Sequence, residues 1–191
     1  MMVKKGEKNC ETVWKEKKLA SDNYVELRFD AIPENEGFAR VVVAAFMAQL
    51  DPLLEEVDDV KTAVSEAVTN CIIHGYGYND CNRENATREN HNTDNNGIEK
   101  GERENNKENE NRMVHMECFR CQNELYVLIE DTGIGIDDVK QAMEPLFTTK
   151  PDLERSGMGF AFMEAFMDEL YVESQKDMGT KVYMSKRIGE K

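Results

Sequence analysis

Several features that mark other classes of protein are missing from this chain of 191 residues. It has no hydrophobic stretch approaching the roughly 20 residues of a transmembrane helix. Its N-terminal segment, MMVKKGEKNCETVWKEKK, also lacks the apolar core of a signal peptide. We therefore expect a cytoplasmic protein without membrane partners. The odd number of cysteines, five, is then typical of reduced thiols rather than of a disulfide framework.

Two common ligand-binding patterns are absent as well. The chain has no Walker-type phosphate loop. The lone CxxC pair, Cys118 and Cys121, has no second pair of ligands at a spacing suited to structural zinc. We interpret this pair as two small residues near a hairpin, with a zinc or redox site as the alternative.

Positive charge is scarce, because 24 Lys and Arg face 38 Asp and Glu and give a formal net charge of -14. The excess of acid lies mainly in the presumed folded part, since the first 22 residues are net basic. Such a surface repels the phosphates of nucleic acids and anionic lipids. We therefore expect no direct contact with nucleic acid. A basic protein partner, or a ligand that arrives with its own metal ion, suits this charge better.

The chain divides into segments of different composition. Residues 1–22 are rich in Lys and Glu and show no sustained period, which predicts a flexible N-terminal extension. Residues 79–112 are dominated by Asn, Glu, Arg and Lys and contain almost no aliphatic side chains, so we predict a disordered insertion there. A specific docking loop is the alternative for that insertion. The rest of residues 23–187 alternates between strand-like and helix-like patterns and forms one predicted domain.

The order of predicted elements within this domain is one strand, two helices, two strands, two helices and two strands. The second helix runs from about Leu54 to His74, and its apolar face includes Val64 and Val68. This order favours an α+β fold, a two-layer sandwich of a mixed or antiparallel sheet with helices on a single face.

Candidate functional residues begin on that second helix. Glu66 and Asn70 are four residues apart and share one stripe of the helix. A carboxylate can take a proton from a hydroxyl or from water, and an amide oxygen can bind Mg²⁺. Taken in isolation, either residue is more typical of a solvated helix face.

Two glycine-containing turns complete the candidate site. Asp131 follows a strand and precedes Gly133 and Gly135, so its carboxylate could accept a hydrogen bond from the amine of adenine while the glycines let the backbone approach the base. The second turn, Ser156-Gly-Met-Gly159, opens a helix whose free amides favour phosphate oxygens. Lys150 and Arg155 flank that turn and could neutralise phosphates. An ordinary turn and a charged surface loop are the alternatives for these pieces, but their order predicts a composite nucleotide site.

At these residues the chain closely resembles the GHKL ATPase superfamily, whose Bergerat fold is shared by DNA gyrase and histidine kinases. The segments Phe38-Ala-Arg40, Ser65-Glu-Ala-Val-Thr-Asn-Cys-Ile-Ile-His-Gly75 and Pro145-Leu-Phe-Thr-Thr-Lys-Pro-Asp-Leu-Glu-Arg-Ser-Gly-Met-Gly-Phe160 are more specifically similar to the anti-sigma F factors. These are serine kinases of spore-forming bacteria. The similarity covers about residues 23–78 and 113–187, whereas the N-terminal extension and the insertion have no recognised counterpart.

The resemblance implies a role for each matching position. Glu66 would be the general base, Asn70 the Mg²⁺ ligand and Asp131 the group that binds the adenine amine. Gly133 and Gly135 would line the base pocket and Thr180 would support Asp131. The lid and phosphate cradle would be formed by Thr148, Thr149, Lys150, Arg155, Ser156, Gly157, Met158 and Gly159.

The resemblance also implies cofactors and partners. ATP and Mg²⁺ would be bound by a homodimer that holds a sporulation sigma factor inactive in the forespore, with Arg40 at the partner-binding surface. Binding of the anti-anti-sigma protein would release the sigma factor, and that protein would then be phosphorylated on serine. Two alternatives remain open: an ATP-liganded sigma-binding module without kinase turnover, and a stand-alone histidine-kinase catalytic domain.

Overall fold

The computed structural model of the protein describes residues 10–78, 112–144 and 157–189. The predicted insertion at 79–112 therefore lies outside the described residues, apart from Arg112. No helix in the described ranges combines the length and the hydropathy needed to cross a membrane.

Five antiparallel strands form one sheet in the order β1-β2-β3-β5-β4. The strands are β1 (Asn23–Asp30), β2 (Met113–Cys121), β3 (Glu124–Asp131), β4 (Glu169–Gln175) and β5 (Gly179–Arg187). The helices are α1 (Cys10–Leu19), α2 (Glu34–Met47), α3 (Leu54–Asn70), α4 (Val139–Ala142) and α5 (Gly159–Phe166). A short 3-10 turn (Ala48–Leu50) follows α2, and a π-helical turn (Cys71–Gly75) extends α3.

One face of the sheet, called the inner face, packs against α2, α3 and α5. Side chains alternate between the two faces of a strand, so every second residue of β2, β3 and β5 enters this layer, as Met116, Ile129 and Met184 do. Helix α3 contributes the stripe that its spacing predicts, with Val64 and Val68 fully buried. The α+β fold expected from the sequence is confirmed.

The opposite face of the sheet, called the outer face, carries a helix that the sequence prediction missed. Helix α1 lies within the segment predicted to be a flexible extension, and it places Trp14 on Phe119, Tyr126 and Tyr183. The prediction is therefore wrong for residues 10–19, and helices do not all lie on one face. Local pattern could not reveal this, because the aromatic partners of Trp14 are more than 100 residues away in the sequence.

Candidate nucleotide site

A cavity of about 530 Å³ opens between α3 with its π-helical turn, the ends of β3 and β5, α4 and the start of α5. The volume is in the range of pockets that hold small organic ligands. Eight of the residues predicted from the sequence line it: Glu66, Asn70, Asp131, Gly135, Gly157, Met158, Gly159 and Thr180. The cavity thus joins residues from distant parts of the chain.

Glu66 and Asn70 converge on the first residue of α5. A methyl group placed on Gly159 would lie 3.1 Å from Glu66 Oε2, 3.4 Å from Asn70 Nδ2 and 3.5 Å from Asn70 Oδ1. The missing side chain of Gly159 therefore leaves a small space faced by a carboxylate and an amide. The exposed amides at the start of a helix favour an anionic group at such a place.

The same space suits a magnesium ion. Mg²⁺ prefers oxygen ligands, keeps several of its waters and is commonly bound by few protein groups together with phosphate oxygens. The side-chain oxygen of Asn70 supplies such a ligand beside a cradle that a Cβ atom at Gly159 would fill. The residues present therefore fit a magnesium ion held mainly by a nucleotide.

Asp131 also lines the cavity and is only 4 % exposed. Its Oδ1 accepts a hydrogen bond of 2.8 Å from the amide of Gly133. Burial raises the pKa of the Asp131 carboxyl, while hydrogen bonds from the Gly133 amide, the Cys71 thiol and the Thr180 amide oppose that rise. The carboxylate is thus held in one orientation at the pocket wall, where it can accept a further hydrogen bond from a ligand.

Two glycines shape the backbone around Asp131 in different ways. Gly135 lines the cavity with a φ of +69°, and a Cβ atom there would lie 2.1 Å from the carbonyl oxygen of Gln175. Gly133 is not a lining residue; a Cβ atom on it would lie 2.2 Å from the carbonyl oxygen of Gly75. The small size of Gly133 permits this close backbone packing against Gly75, and its contact with a base stays a prediction.

One supporting residue, Ser174, was missed by sequence reasoning. Ser174 Oγ bonds Thr180 Oγ1 at 2.9 Å, donates to the Gly179 carbonyl at 2.9 Å and accepts from the Ile136 amide at 2.8 Å. It ties the β4–β5 turn to the segment after Asp131. No local signal marks Ser174, because its partners come together only when the sheet forms.

The remaining predicted residues are Arg40, which the structure describes, and five residues that it does not describe. Arg40 is on α2, outside the cavity lining, and its Nε lies 2.9 Å from Glu36 Oε1. Five predicted lid and cradle residues lie outside the described residues: Thr148, Thr149, Lys150, Arg155 and Ser156.

Comparison with known proteins agrees with the geometry. A family model described as a histidine kinase-like ATPase domain matches residues 94–186. An anti-sigma F factor of Clostridium perfringens (strain 13 / Type A) is 48% identical over 167 residues, which cover 87% of this chain and 98% of the relative. The anti-sigma F factor of Clostridium beijerinckii is 50% identical over 168 residues, covering 88% and 96%. That of Clostridium acetobutylicum is 47% identical over 167 residues, covering 87% and 95%.

Proposed function

The chain belongs to the anti-sigma F factor family, with a histidine kinase-like ATPase domain, and from this premise we propose that it couples ATP to the control of a sigma factor. In this proposal it binds ATP with Mg²⁺ and holds a sporulation sigma factor inactive. It then phosphorylates an anti-anti-sigma protein on serine.

One observation carries the kinase part of the proposal. Glu66 and Asn70 approach the same point at the start of α5, in a cavity that is also lined by the buried Asp131 beside Gly75. A nucleotide with its base near Asp131 would place its phosphates toward Gly159. The carboxylate of Glu66 would then face the terminal phosphate and an incoming hydroxyl.

The residues of this chain would divide the chemistry between them. The Glu66 carboxylate accepts the proton of the serine hydroxyl as that oxygen bonds to the γ-phosphorus. The bond from phosphorus to the β,γ-bridging oxygen breaks, so the products are phosphoserine and ADP. The amides of Gly157 and Gly159 face the phosphate oxygens, and Asp131 fixes the base through its exocyclic amine.

Asn70 would hold the magnesium ion through its side-chain oxygen. The ion would neutralise charge on the phosphate oxygens. Asn70, one helical turn beyond Glu66, keeps the amide oxygen next to the carboxylate because both lie on the same stripe of α3.

The kinase proposal is tested with the full chain, radiolabelled ATP and the purified anti-anti-sigma protein. Glu66→Gln keeps the size of the side chain but removes the base, and we expect its phosphorylation rate to fall at least 100-fold with nucleotide affinity nearly unchanged. Glu55→Gln, at an exposed position in the first turn of α3, is the matched control and should retain the full rate.

The chemical stability of the product separates the alternatives. Acid-stable phosphoserine that depends on Glu66 supports the proposal. Tight nucleotide binding without any phosphorylated product would indicate a sigma-binding module. An acid-labile phosphohistidine would indicate a histidine-kinase catalytic domain, and either of these two results would overturn the serine-kinase proposal.

The sigma-binding part of the proposal places Arg40 at the partner surface. Arg40 is half-exposed on α2 beside Phe38 and Val41, which are 51% and 66% exposed. An exposed cation among apolar side chains suits a protein partner. We expect Arg40→Ala to weaken capture of the sigma factor without changing ATP affinity. Lys61→Ala, which removes another surface cation with an acidic helix neighbour, should leave capture unchanged.

We also propose that the protein is a homodimer, as the family resemblance implies. Helix α1 covers part of the outer face of the sheet, so a dimer built on that face would have to include α1 or displace it. Sedimentation equilibrium with and without residues 1–22 measures which arrangement holds. A monomer under both conditions would contradict the homodimer.

A further inference from the structure

A histidine surrounded by carboxylates lies on the outer face of the sheet, on the side away from α3 and the nucleotide cavity. His115 of β2 has its Nε2 atom 3.1 Å from Glu26 Oε1 of β1 and 3.7 Å from Glu117 Oε1 of the same strand. Its other ring nitrogen, Nδ1, lies 3.0 Å from Glu130 Oε2 of β3. The three atoms from Glu26, His115 and Glu117 lie within 4.8 Å of one another.

The contact with Glu130 determines what the other ring nitrogen can do. A carboxylate oxygen only accepts hydrogen bonds, so Nδ1 must carry a hydrogen. Nε2 lies 3.1 Å from Glu26 Oε1, so it either donates a hydrogen to that oxygen or, when a metal ion takes the place of the hydrogen, presents its lone pair to the ion. Three electron-rich atoms at these distances repel one another unless a cation lies between them.

The spacing of the three atoms suits a tetrahedral metal ion. Zinc bonds to His nitrogen and carboxylate oxygen are about 2.0–2.2 Å long, which gives ligand-to-ligand distances of roughly 3.3 Å in a tetrahedron. The observed distances of 3.1 and 3.7 Å lie on either side of that value. The ring also has the arrangement common in metal sites, where a ligating His donates its second N–H to a carboxylate.

The carboxylates around the ring are held in place from outside the cluster. Lys18 of α1 lies 2.8 Å from Glu117 Oε2, and Lys181 of β5 lies 3.2 Å from Glu130 Oε1. In each of the two glutamates, one carboxylate oxygen contacts the lysine and the other faces His115. The site is thus shielded, since the side chains of His115 and Glu117 are only 14% and 11% exposed.

We propose that Glu26, His115 and Glu117 bind one zinc ion, with Glu130 orienting the histidine and a water in the fourth position. An imidazole nitrogen in the ligand set favours zinc over magnesium or calcium, which prefer oxygen ligands only. The three carboxylates outnumber the two lysines, so a divalent cation is electrostatically favoured there. This site is separate from the magnesium position at Glu66 and Asn70, and it does not depend on the proposed kinase activity.

Cobalt(II) is the probe that tests the site, because its visible absorption is strong when four ligands surround it and weak when six do. Metal-free, nucleotide-free full-length protein is titrated with Co²⁺ and then with Zn²⁺. We expect one Co²⁺ per chain with intense visible bands, displacement by an equivalent of Zn²⁺, and no displacement by a large excess of Mg²⁺.

Variants assign the signal to residues. His115→Gln and Glu26→Gln should each weaken metal affinity at least tenfold, and Glu130→Ala should weaken it by about 10- to 100-fold through loss of orientation. Glu26 is partly exposed at the edge strand, so Glu26→Gln keeps the test valid if the less exposed His115 variant folds poorly. Glu169→Gln, an exposed carboxylate on β4 of the same sheet, is the control and should bind metal normally.

Three results would overturn the proposal. The first is no binding at stoichiometric Co²⁺ or Zn²⁺, which would mean that a proton on Nε2, and not a metal ion, lies between the nitrogen and the carboxylate oxygens. The second is binding that survives both His115→Gln and Glu26→Gln. The third is a thiolate-to-cobalt charge-transfer band that disappears in Cys121→Ser, which would place the metal on sulfur.

Discussion

The docking of α1 can be tested through its single tryptophan, the only one in the chain. Trp14 is 8% exposed, and its ring meets Phe119, Tyr183 and Tyr126 edge-on at centroid distances of 4.9, 5.1 and 5.6 Å. The perturbation is Trp14→Ala. It removes the largest contact between α1 and the outer face while favouring helix formation by α1 itself.

The size of the effect follows from two opposing contributions. Replacing a buried tryptophan with alanine costs about 3–5 kcal/mol. The indole Nε1 is buried without a hydrogen-bond partner among the described residues, and removing an unpaired donor returns about 1–3 kcal/mol. A net loss of about 2 kcal/mol remains. An isolated helix of 10 residues is marginal in water, so this loss should make undocking and unfolding of α1 more frequent while the sheet and α3 remain folded.

Hydrogen exchange detected by mass spectrometry measures the undocking of α1 directly. Protection of the α1 amides should fall about 30-fold in Trp14→Ala, which is the 2 kcal/mol loss expressed as an equilibrium constant, and protection of α3 should not change. Val13→Ala alters the neighbouring, partly exposed position of the same helix and should retain protection. Equal protection in Trp14→Ala and Val13→Ala would refute the idea that Trp14 anchors α1.

Three further predictions concern the nucleotide cavity. Gly159→Ala should reduce ATP affinity at least tenfold in a calorimetric titration, because the new methyl group lies 3.1 Å from Glu66 Oε2 in the space expected to hold phosphate. Unchanged affinity would place the phosphates elsewhere. Gly135→Ala should lower the free energy of unfolding by at least about 1–2 kcal/mol from its positive φ alone, with a further cost from the Gln175 carbonyl, and urea denaturation measures the sum. Burial raises the pKa of Asp131, so the folded protein binds a proton at Asp131 more tightly than the unfolded chain does. The stability of the folded protein therefore falls as the pH rises from the ordinary Asp range through the raised pKa. Asp131→Asn should lack that fall and be relatively more stable at neutral pH while losing ATP affinity; an identical pH slope in both proteins would contradict the burial argument.

The parts of the fold with strong local patterns were predictable from the sequence. The helical spacing of Val64 and Val68 places Glu66 and Asn70 on α3, and the alternating strand before Asp131 places that residue at the end of β3. Both features depend on short-range periodicity, which the sequence displays directly. The order of elements then sufficed for an α+β fold.

Contacts between distant segments were not predictable in this way. Trp14 looked like a lone aromatic in a charged segment, because the ring pocket that receives it is built by β2, β3 and β5. Gly133 looked like a pocket residue by its spacing from Asp131, but only the folded backbone shows that Gly75 lies against it. The roles of Thr148, Thr149 and Lys150 stay predictions.

The position of Cys10 on α1 has a chemical consequence for thiol reactivity. Burial against the sheet, with Glu173 and Glu169 nearby, raises the pKa of the Cys10 thiol from 9.0 to about 12. Only the thiolate reacts with alkylating reagents, so near pH 8 the docked helix lowers the reactive fraction of Cys10 below that of an ordinary cysteine. The alkylation rate of Cys10 therefore measures how often α1 leaves the sheet, and any partner or ligand that shifts α1 would be detected as a change in that rate.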